Sequence, residues 1–181
     1  MCPSYNNIGN VYDRQGCKYE EALEYYQKSL DIKIRVVGGD HPDVASSYLN
    51  IGAVYGRKGD LENALLQFQK ALEIQTRVFG SDHPDVATSF NNIGVVYEKK
   101  GGLENALVQH QKALEIRTRV FGSEHPDVAV TIQNIGIVYG KKGDRTAATE
   151  MYTKAYHIFL KKLGPDHPQT QELKPFVNRW W

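Results

Sequence analysis

Residues 82–123 read DHPDVATSFNNIGVVYEKKGGLENALVQHQKALEIRTRVFGS, and the stretch before them, residues 40–81, differs at only ten of 42 positions. The tripeptides Asp40-His41-Pro42, Asp82-His83-Pro84, Glu124-His125-Pro126 and Asp166-His167-Pro168 recur every 42 residues, and residues 124–165 keep the same skeleton with more drift. Ile8-Gly9 to Ile51-Gly52 is 43 residues whereas Ala22 to Ala64 is 42, so the first unit carries one extra residue around Gly16-Cys17-Lys18-Tyr19. Self-similarity at this period is the mark of a small unit that buries its apolar face only by stacking on copies of itself.

Each unit reads as two helices. Pro42 suits a first helical turn, where its missing N–H is not needed and its φ is already helical. Val44, Ser47, Tyr48, Ile51, Val54, Tyr55 and Lys58 then follow three- and four-residue steps, as one helix face requires. Gly59 and its equivalents Gly16, Gly101 and Gly143 are expected to stop that helix with a positive φ. Leu61 to Val78 forms the second helix, ended by Gly80-Ser81, and each helix spans about 25 Å. Gly9, Gly52, Gly94 and Gly136 recur inside the first helix, three residues before Tyr12, Tyr55, Tyr97 and Tyr139. Glycine there costs about 1 kcal/mol relative to alanine, so its recurrence is read as tight packing beneath the tyrosine. Ala22, Ala64, Ala106 and Ala148, with Ser29, Ala71, Ala113 and Ala155 seven residues on, are the small residues of the second helix. Domain organisation follows: units 1–39, 40–81, 82–123 and 124–165, then a tail, 166–181. In the tail a helix starts at Pro168, Pro175 interrupts it, and Gln169, Gln171, Glu172 and Lys174 give it a solvated face suited to capping the array.

Composition narrows the function. Of 181 residues, 22 are Lys or Arg and 21 are Asp or Glu, a net charge of +1. That balance argues against nucleic acid as a partner, since phosphate binding needs a cationic excess. Cys2 and Cys17 lie about 22 Å apart if they sit on one helix, too far for a disulfide. No apolar run approaches the roughly 20 residues of a membrane span, and the first residues lack a secretion signal. The expectation is a soluble, reduced, cytoplasmic protein. His41, His83, His125 and His167 recur at helix entrances, one per unit and roughly 10 Å apart in a stack, which suits a structural role and not a shared metal. His110 and His157 are isolated. Neither Gly38-Gly39 nor Gly101-Gly102 is followed by the Lys-Ser/Thr of a phosphate loop. No active site, metal or cofactor is expected.

The pattern Phe90, Ile93-Gly94, Tyr97, Gly101, Ala106, Ala113 and Phe121-Gly122-Ser123-Glu124-His125-Pro126-Asp127 resembles the tetratricopeptide repeat, in the 42-residue form found in kinesin light chain. The resemblance covers nearly the whole chain. It implies an all-α, right-handed α-solenoid of about four helix-turn-helix repeats with a C-terminal capping helix. It also implies that extended peptides lie across the first helices, on the inner wall of the superhelix.

Six of the ten differences between the two most similar units, Ser46/Thr88, Leu49/Asn91, Ala53/Val95, Gly56/Glu98, Arg57/Lys99 and Asp60/Gly102, fall within about 100° of arc on the first helix. Tyr48/Phe90 faces away, and Leu66/Val108, Phe68/His110 and Gln75/Arg117 are scattered along the second. The six-residue stripe is either an ordinary solvent face or, as the resemblance implies, the peptide groove. Beside it stand Asn7, Asn50, Asn92 and Asn134. Asparagine is a mediocre helix former, and its amide either bridges neighbouring helices or meets a peptide backbone. In the resembled family, asparagines here bind ligand main chain. Flanking positions are Asn6, Leu49, Asn91 and Gln133 before, and Asn10, Ala53, Val95 and Ile137 after. None is cationic, which disfavours the chaperone C-terminal-tail clamp of the wider family. Arg14, Arg57, Lys99 and Lys141, at the far ends of the first helices, complement the helix dipoles or form a basic rim for an acidic peptide.

The leading expectation is a non-catalytic scaffold or adaptor that holds an extended segment of a protein partner in this groove. The alternatives are a structural or assembly subunit docking through its outer surface and the Trp180-Trp181 end, or the regulatory segment of a larger enzyme.

Overall fold

The computed structural model describes residues 5–14 and 18–177, which form nine helices and no strand. First-type helices α1 (Tyr5–Arg14), α3 (Pro42–Lys58), α5 (Pro84–Lys99) and α7 (Pro126–Lys142) alternate with second-type helices α2 (Tyr19–Val37), α4 (Leu61–Phe79), α6 (Leu103–Phe121) and α8 (Arg145–Leu163). A final helix, α9 (Pro168–Val177), follows. Gly16, Cys2, Cys17, Trp180 and Trp181 lie outside the described residues, as does the side chain of Arg14.

Two compact units, residues 1–89 and 90–181, divide within α5. In the first, α2 packs on both α1 and α3, and α3 packs on α4. Ala22, Tyr26, Leu30, Val44, Ala45, Ile51, Val54, Ala71 and Ile74 make its core. In the second, α7 packs on α6 and α8, and α8 on α9, around Ala129, Ala155, Phe159 and Leu173. Within each unit these helices pack on their neighbours in sequence, the arrangement of an all-α repeat solenoid.

Local chemistry starts and stops the helices. The imidazole Nδ1 atoms of His41, His83, His125 and His167 accept the N–H groups of Asp43, Asp85, Asp127 and Gln169 at 3.1, 3.2, 3.2 and 3.3 Å. The histidines of the connectors are therefore N-caps, a task usually given to Ser, Thr, Asp or Asn. The first-type helices end on glycine in the left-handed region, Gly59 at φ 88° and Gly143 at φ 83°. There Asp60 and Asp144 N–H groups reach back to the carbonyls of Tyr55 and Tyr139 at 2.9 and 3.0 Å, a Schellman closure. Second-type helices end differently: Gly80 sits at φ 84°, ψ 169°, a region essentially closed to side chains.

The recurring intrahelical glycines mark tight packing, but the partner is not the tyrosine three residues on. A Cβ at Gly9, Gly52, Gly94 or Gly136 would come within 2.9, 2.7, 2.7 or 2.8 Å of Tyr26, Phe68, His110 or Tyr152 respectively, all on the following second-type helix. Three residues along a helix turn the chain about 300°, so Tyr55 shares a flank with Gly52 without lying over it. The space that glycine leaves is filled from outside the helix. Pro175 likewise fails to interrupt α9, which runs through it to Val177. Proline forfeits one N–H bond there but leaves the helix two more residues to its end. Thr170 and Leu173 are buried while Gln171, Glu172 and Lys174 are exposed, so α9 presents one packed and one solvated face.

Two stability measurements follow from these contacts. Gly52→Ala places a methyl against the buried Phe68 ring, and the overpacking should outweigh the gain in helix propensity, with a net loss of about 1–2 kcal/mol in denaturant unfolding. Adding Phe68→Leu should cost less in that background than in the wild type. Gly102 caps α6 with no side chain, whereas the equivalent Asp60 accepts from the N–H of Asn63 at 3.2 Å. Gly102→Asp, at φ −78°, should therefore raise unfolding free energy by about 1 kcal/mol.

Candidate functional site

In the first unit, α1 and α3 carry Asn6, Asn7, Asn10, Leu49, Asn50 and Ala53. Asn50 donates from Nδ2 to Asn6 Oδ1 at 3.5 Å, and Asn10 Oδ1 accepts from the Tyr26 hydroxyl at 2.6 Å. Asn7 is exposed, and Leu49 lies half-buried against the core. In the second unit, the latter part of α5 carries Asn91, Asn92 and Val95, and α7 carries Gln133, Asn134 and Ile137. Asn134 donates from Nδ2 to Asn91 Oδ1 at 3.0 Å, and Gln133 donates to Glu172 Oε1 at 3.1 Å. Asn92, Val95 and Ile137 are half-buried. Each unit thus contains a pair of side-chain amides, 50 with 6 and 134 with 91, joining neighbouring first-type helices at equivalent positions.

Four cations beside this wall, Arg57, Lys58, Lys141 and Lys142, have acidic partners. Arg57 clamps the Asp13 carboxylate through Nε at 3.0 Å and Nη2 at 2.5 Å, and Lys58 meets Glu20 at 2.6 Å. Lys141 meets Glu98 at 2.6 Å and Lys142 meets Glu104 at 2.7 Å. Asp13 and Glu98, 19% and 11% exposed, stand at one repeat position; in the sequence Glu98 stood out only as part of the variable stripe, and neither acid was read as a counter-charge. Lys99 also has an interaction partner. Hydrogen bonds to Glu20 and Glu104 raise the ammonium pKa values of Lys58 and Lys142. The only period-specific signal for Asp13 and Glu98 is their placement 44 and 43 residues before the cation they meet.

One of the differences assigned to scattered places on the second helix, Gln75/Arg117, is a buried joint in both forms. Lys33 Nζ donates to Ser47 Oγ at 2.7 Å, Ser89 Oγ donates to Gln75 Oε1 at 2.5 Å, and Arg117 Nη1 donates to Thr131 Oγ1 at 2.8 Å. At the last equivalent place, Phe159 and Leu173 pack together instead. The same 14-residue step joins each second-type helix to the next first-type helix, with chemistry exchanged in matched pairs. Arg117 also donates to the Asp127 carbonyl at 3.1 Å, and burial lowers its pKa.

His110 is the other buried change. It is 0% exposed, in the place held by Tyr26, Phe68 and Tyr152. Its Nδ1 lies 3.1 Å from Asn91 Oδ1, while Nε2 is buried without a partner. Burial holds its pKa down at about 4, assisted by Arg117 and opposed by Glu98. A hollow of about 470 Å³ lies elsewhere, at the 121–126 connector and Lys162. Among the described residues no cluster of His, Cys, Asp and Glu is arranged to hold a metal, and no helix is long and apolar enough to cross a membrane.

The depressed His110 pKa has a definite sign. The unfolded chain takes up the proton first, so stability present above pH 6.5 is lost as pH falls from about 6.5 towards about 4. His110→Phe removes that loss. The unfolding free energy of the variant relative to wild type should rise by up to about 3 kcal/mol across the window. Denaturant titrations at pH 7.5 and pH 4.5 measure it.

The family model described as "Tetratricopeptide repeat" matches residues 1–77, 57–116 and 85–161. The crystal structure of BtubC from P. vanneervenii superposes with a TM-score of 0.78 at 30% identity, over 91% of this chain. The chain spans 65% of the length of that protein. A kinesin light chain-type protein of Podosopora anserina, built of nearly identical TPR-like repeats, superposes at 0.78 with 21% identity, over 96% of this chain and 82% of its own. A variant of that protein gives 0.79 over the same shares. Comparison with curated protein sequences returns no match.

Proposed function

The chain belongs to the tetratricopeptide repeat family, whose arrays are generally protein–protein interaction scaffolds, and from that premise we propose that it binds an extended segment of a protein partner along the amide wall of its first-type helices. The observation that carries the reading is the repeated amide pair, Asn50 with Asn6 and Asn134 with Asn91. An asparagine that gives one N–H to its neighbour still carries a second N–H and its own carbonyl, a donor and an acceptor that match a peptide backbone whatever its side chains. Pairing also fixes the amide before a ligand arrives, which lowers the ordering cost of binding.

The wall calls for a mostly uncharged segment. Leu49, Ala53, Val95 and Ile137 offer aliphatic contact beside Asn7, Asn92, Asn10 and Gln133. Arg57 and Lys141 reach an acidic ligand only by giving up Asp13 and Glu98. The basic rim of Arg14, Arg57, Lys99 and Lys141 is thus a secondary determinant, sensitive to salt. In this reading residues 1–165 act as four repeat units and 166–181 closes the last.

A second reading, a structural subunit docked through its outer surface, draws on Leu66 and Val108, which are 45% and 51% exposed on α4 and α6. The equivalent residues Glu24 and Glu150 instead form surface pairs with Lys28 and Lys154.

Affinity purification from the native source separates the two. Asn50→Ala/Asn92→Ala, checked for helicity by circular dichroism, should lose partners that the wild type retains, with affinity down at least about tenfold for two lost polar contacts. Partners kept by that variant but lost from Leu66→Glu/Val108→Glu would assign the interface to the outer face.

A further inference from the structure

Building on the groove reading, we infer that His110 is a positioning residue for the wall: from inside the second unit it fixes which edges of Asn91 and Asn134 a bound segment meets. The starting point is a matched pair of changes within the chain. Where the first unit has Phe68 and Leu49, the second has His110 and Asn91. Both replacements are polar and both are buried, His110 completely and Asn91 nearly so.

Their contacts explain why they occur together. Asn91 Oδ1 lies 3.1 Å from His110 Nδ1 and accepts from Asn134 Nδ2 at 3.0 Å. A carbonyl oxygen only accepts, so the imidazole carries its proton on Nδ1. The same oxygen then receives two donors, which uses both of its lone pairs. Asn91 has no acceptor left for a ligand and offers its N–H edge. Asn134, having given one N–H inward, is held with its carbonyl on its other edge. One on α5 and the other on α7, these edges suit a backbone C=O and N–H of an extended segment.

Histidine pays for this order at its other nitrogen. Nε2 is buried without a partner, pressed where Gly94 leaves room for it. Phenylalanine at the same place would carry no such penalty, so the gain lies at Nδ1. The charged groups bearing on the ring are Glu98, from α5, and Arg117, on α6 itself. The first unit contains a parallel: Tyr26, at the same repeat position, donates its hydroxyl to the wall residue Asn10 at 2.6 Å. A ring behind the wall orders an asparagine in both places, by different donors.

The test uses the full chain and has two arms. In the first, 15N-labelled wild type and His110→Phe are compared by NMR. The wild-type imidazole should show a protonated Nδ1, and the side-chain amide resonances of Asn91 and Asn134 should move towards exposed-amide positions in the variant. Unchanged amide resonances, or a proton on Nε2, overturn the inference. In the second arm, dodecapeptides selected by wild type from a random phage-displayed library are titrated against variants. His110→Phe and Asn91→Leu should each weaken binding about tenfold, with no further loss in the double variant, because they break one chain of bonds. The double variant re-creates the Phe68/Leu49 pair and should melt no lower than wild type, which separates lost order from lost fold. Selected peptides bound equally by wild type and His110→Phe overturn the inference even if the amides move. If no peptide is selected, or if Asn50→Ala/Asn92→Ala binds the peptides as well as wild type, it is the groove reading that falls, and the amide resonances alone decide the role of His110.

Discussion

A glycine of each first-type helix lies against a ring of the following second-type helix, and the rest of each unit depends on that approach. With no Cβ at Gly9, Gly52, Gly94 and Gly136, the rings at 26, 68, 110 and 152 come close enough to leave no room even for a methyl group. A glycine inside a helix sacrifices local stability. Here the loss is offset by burial of an aromatic body, which contributes more than any aliphatic side chain could in the same gap. The alanines at 22, 64, 106 and 148, all at or near zero exposure, keep the facing helix equally close. Once the helices approach this nearly, the side chains above and below the contact have fixed neighbours, and so does the wall of asparagines.

Joints between successive helix pairs follow a second rule, the 14-residue step from second-type to first-type helix. Lysine with serine, glutamine with serine, arginine with threonine and phenylalanine with leucine all occupy it. Polar joints of this kind are satisfied in pairs, and each pair differs from the next, so a mismatched joint would leave a buried donor or acceptor unpaired. The last joint, next to α9, is apolar. Histidine enters the same logic at position 110, where it is tolerated because Asn91 stands opposite in place of leucine. Surface charge is arranged more loosely: pairs such as Glu73 with Arg77 and Glu115 with Arg119 are exposed and contribute little to stability.

Much of the fold was legible in the sequence for local reasons. Pro42 after His41, and Gly59 after Lys58, mark helix ends because backbone stereochemistry at those residues is decided within a few bonds. The period of 42 is arithmetic. The asparagine row was legible, with bridging between neighbouring helices as one of its two readings, but its partners were not: Asn50 and Asn134 each meet an asparagine of another first-type helix, and nothing nearby in the chain specifies that pairing. Histidine as an N-cap was missed because its imidazole is seldom the acceptor there. The counter-charges Asp13 and Glu98 were missed because they sit two turns from the asparagines and more than 40 residues from their cations.

By itself, then, the sequence determined the repeat, the alternation of two helix types, their starts and stops, and the face on which side chains vary, since each of these is set by dihedral preference or by the 100° advance of a helix. Only the tertiary structure decided which ring fills the space beneath each glycine. It also decided that Gln75 and Arg117 are buried joints, that Arg57 and Lys141 beside the wall are already paired, and that His110 stands behind Asn91. Those outcomes depend on which of several equivalent faces meet across 14 to 44 residues, and contacts at that separation are chosen by packing, charge and hydrogen-bond satisfaction acting together.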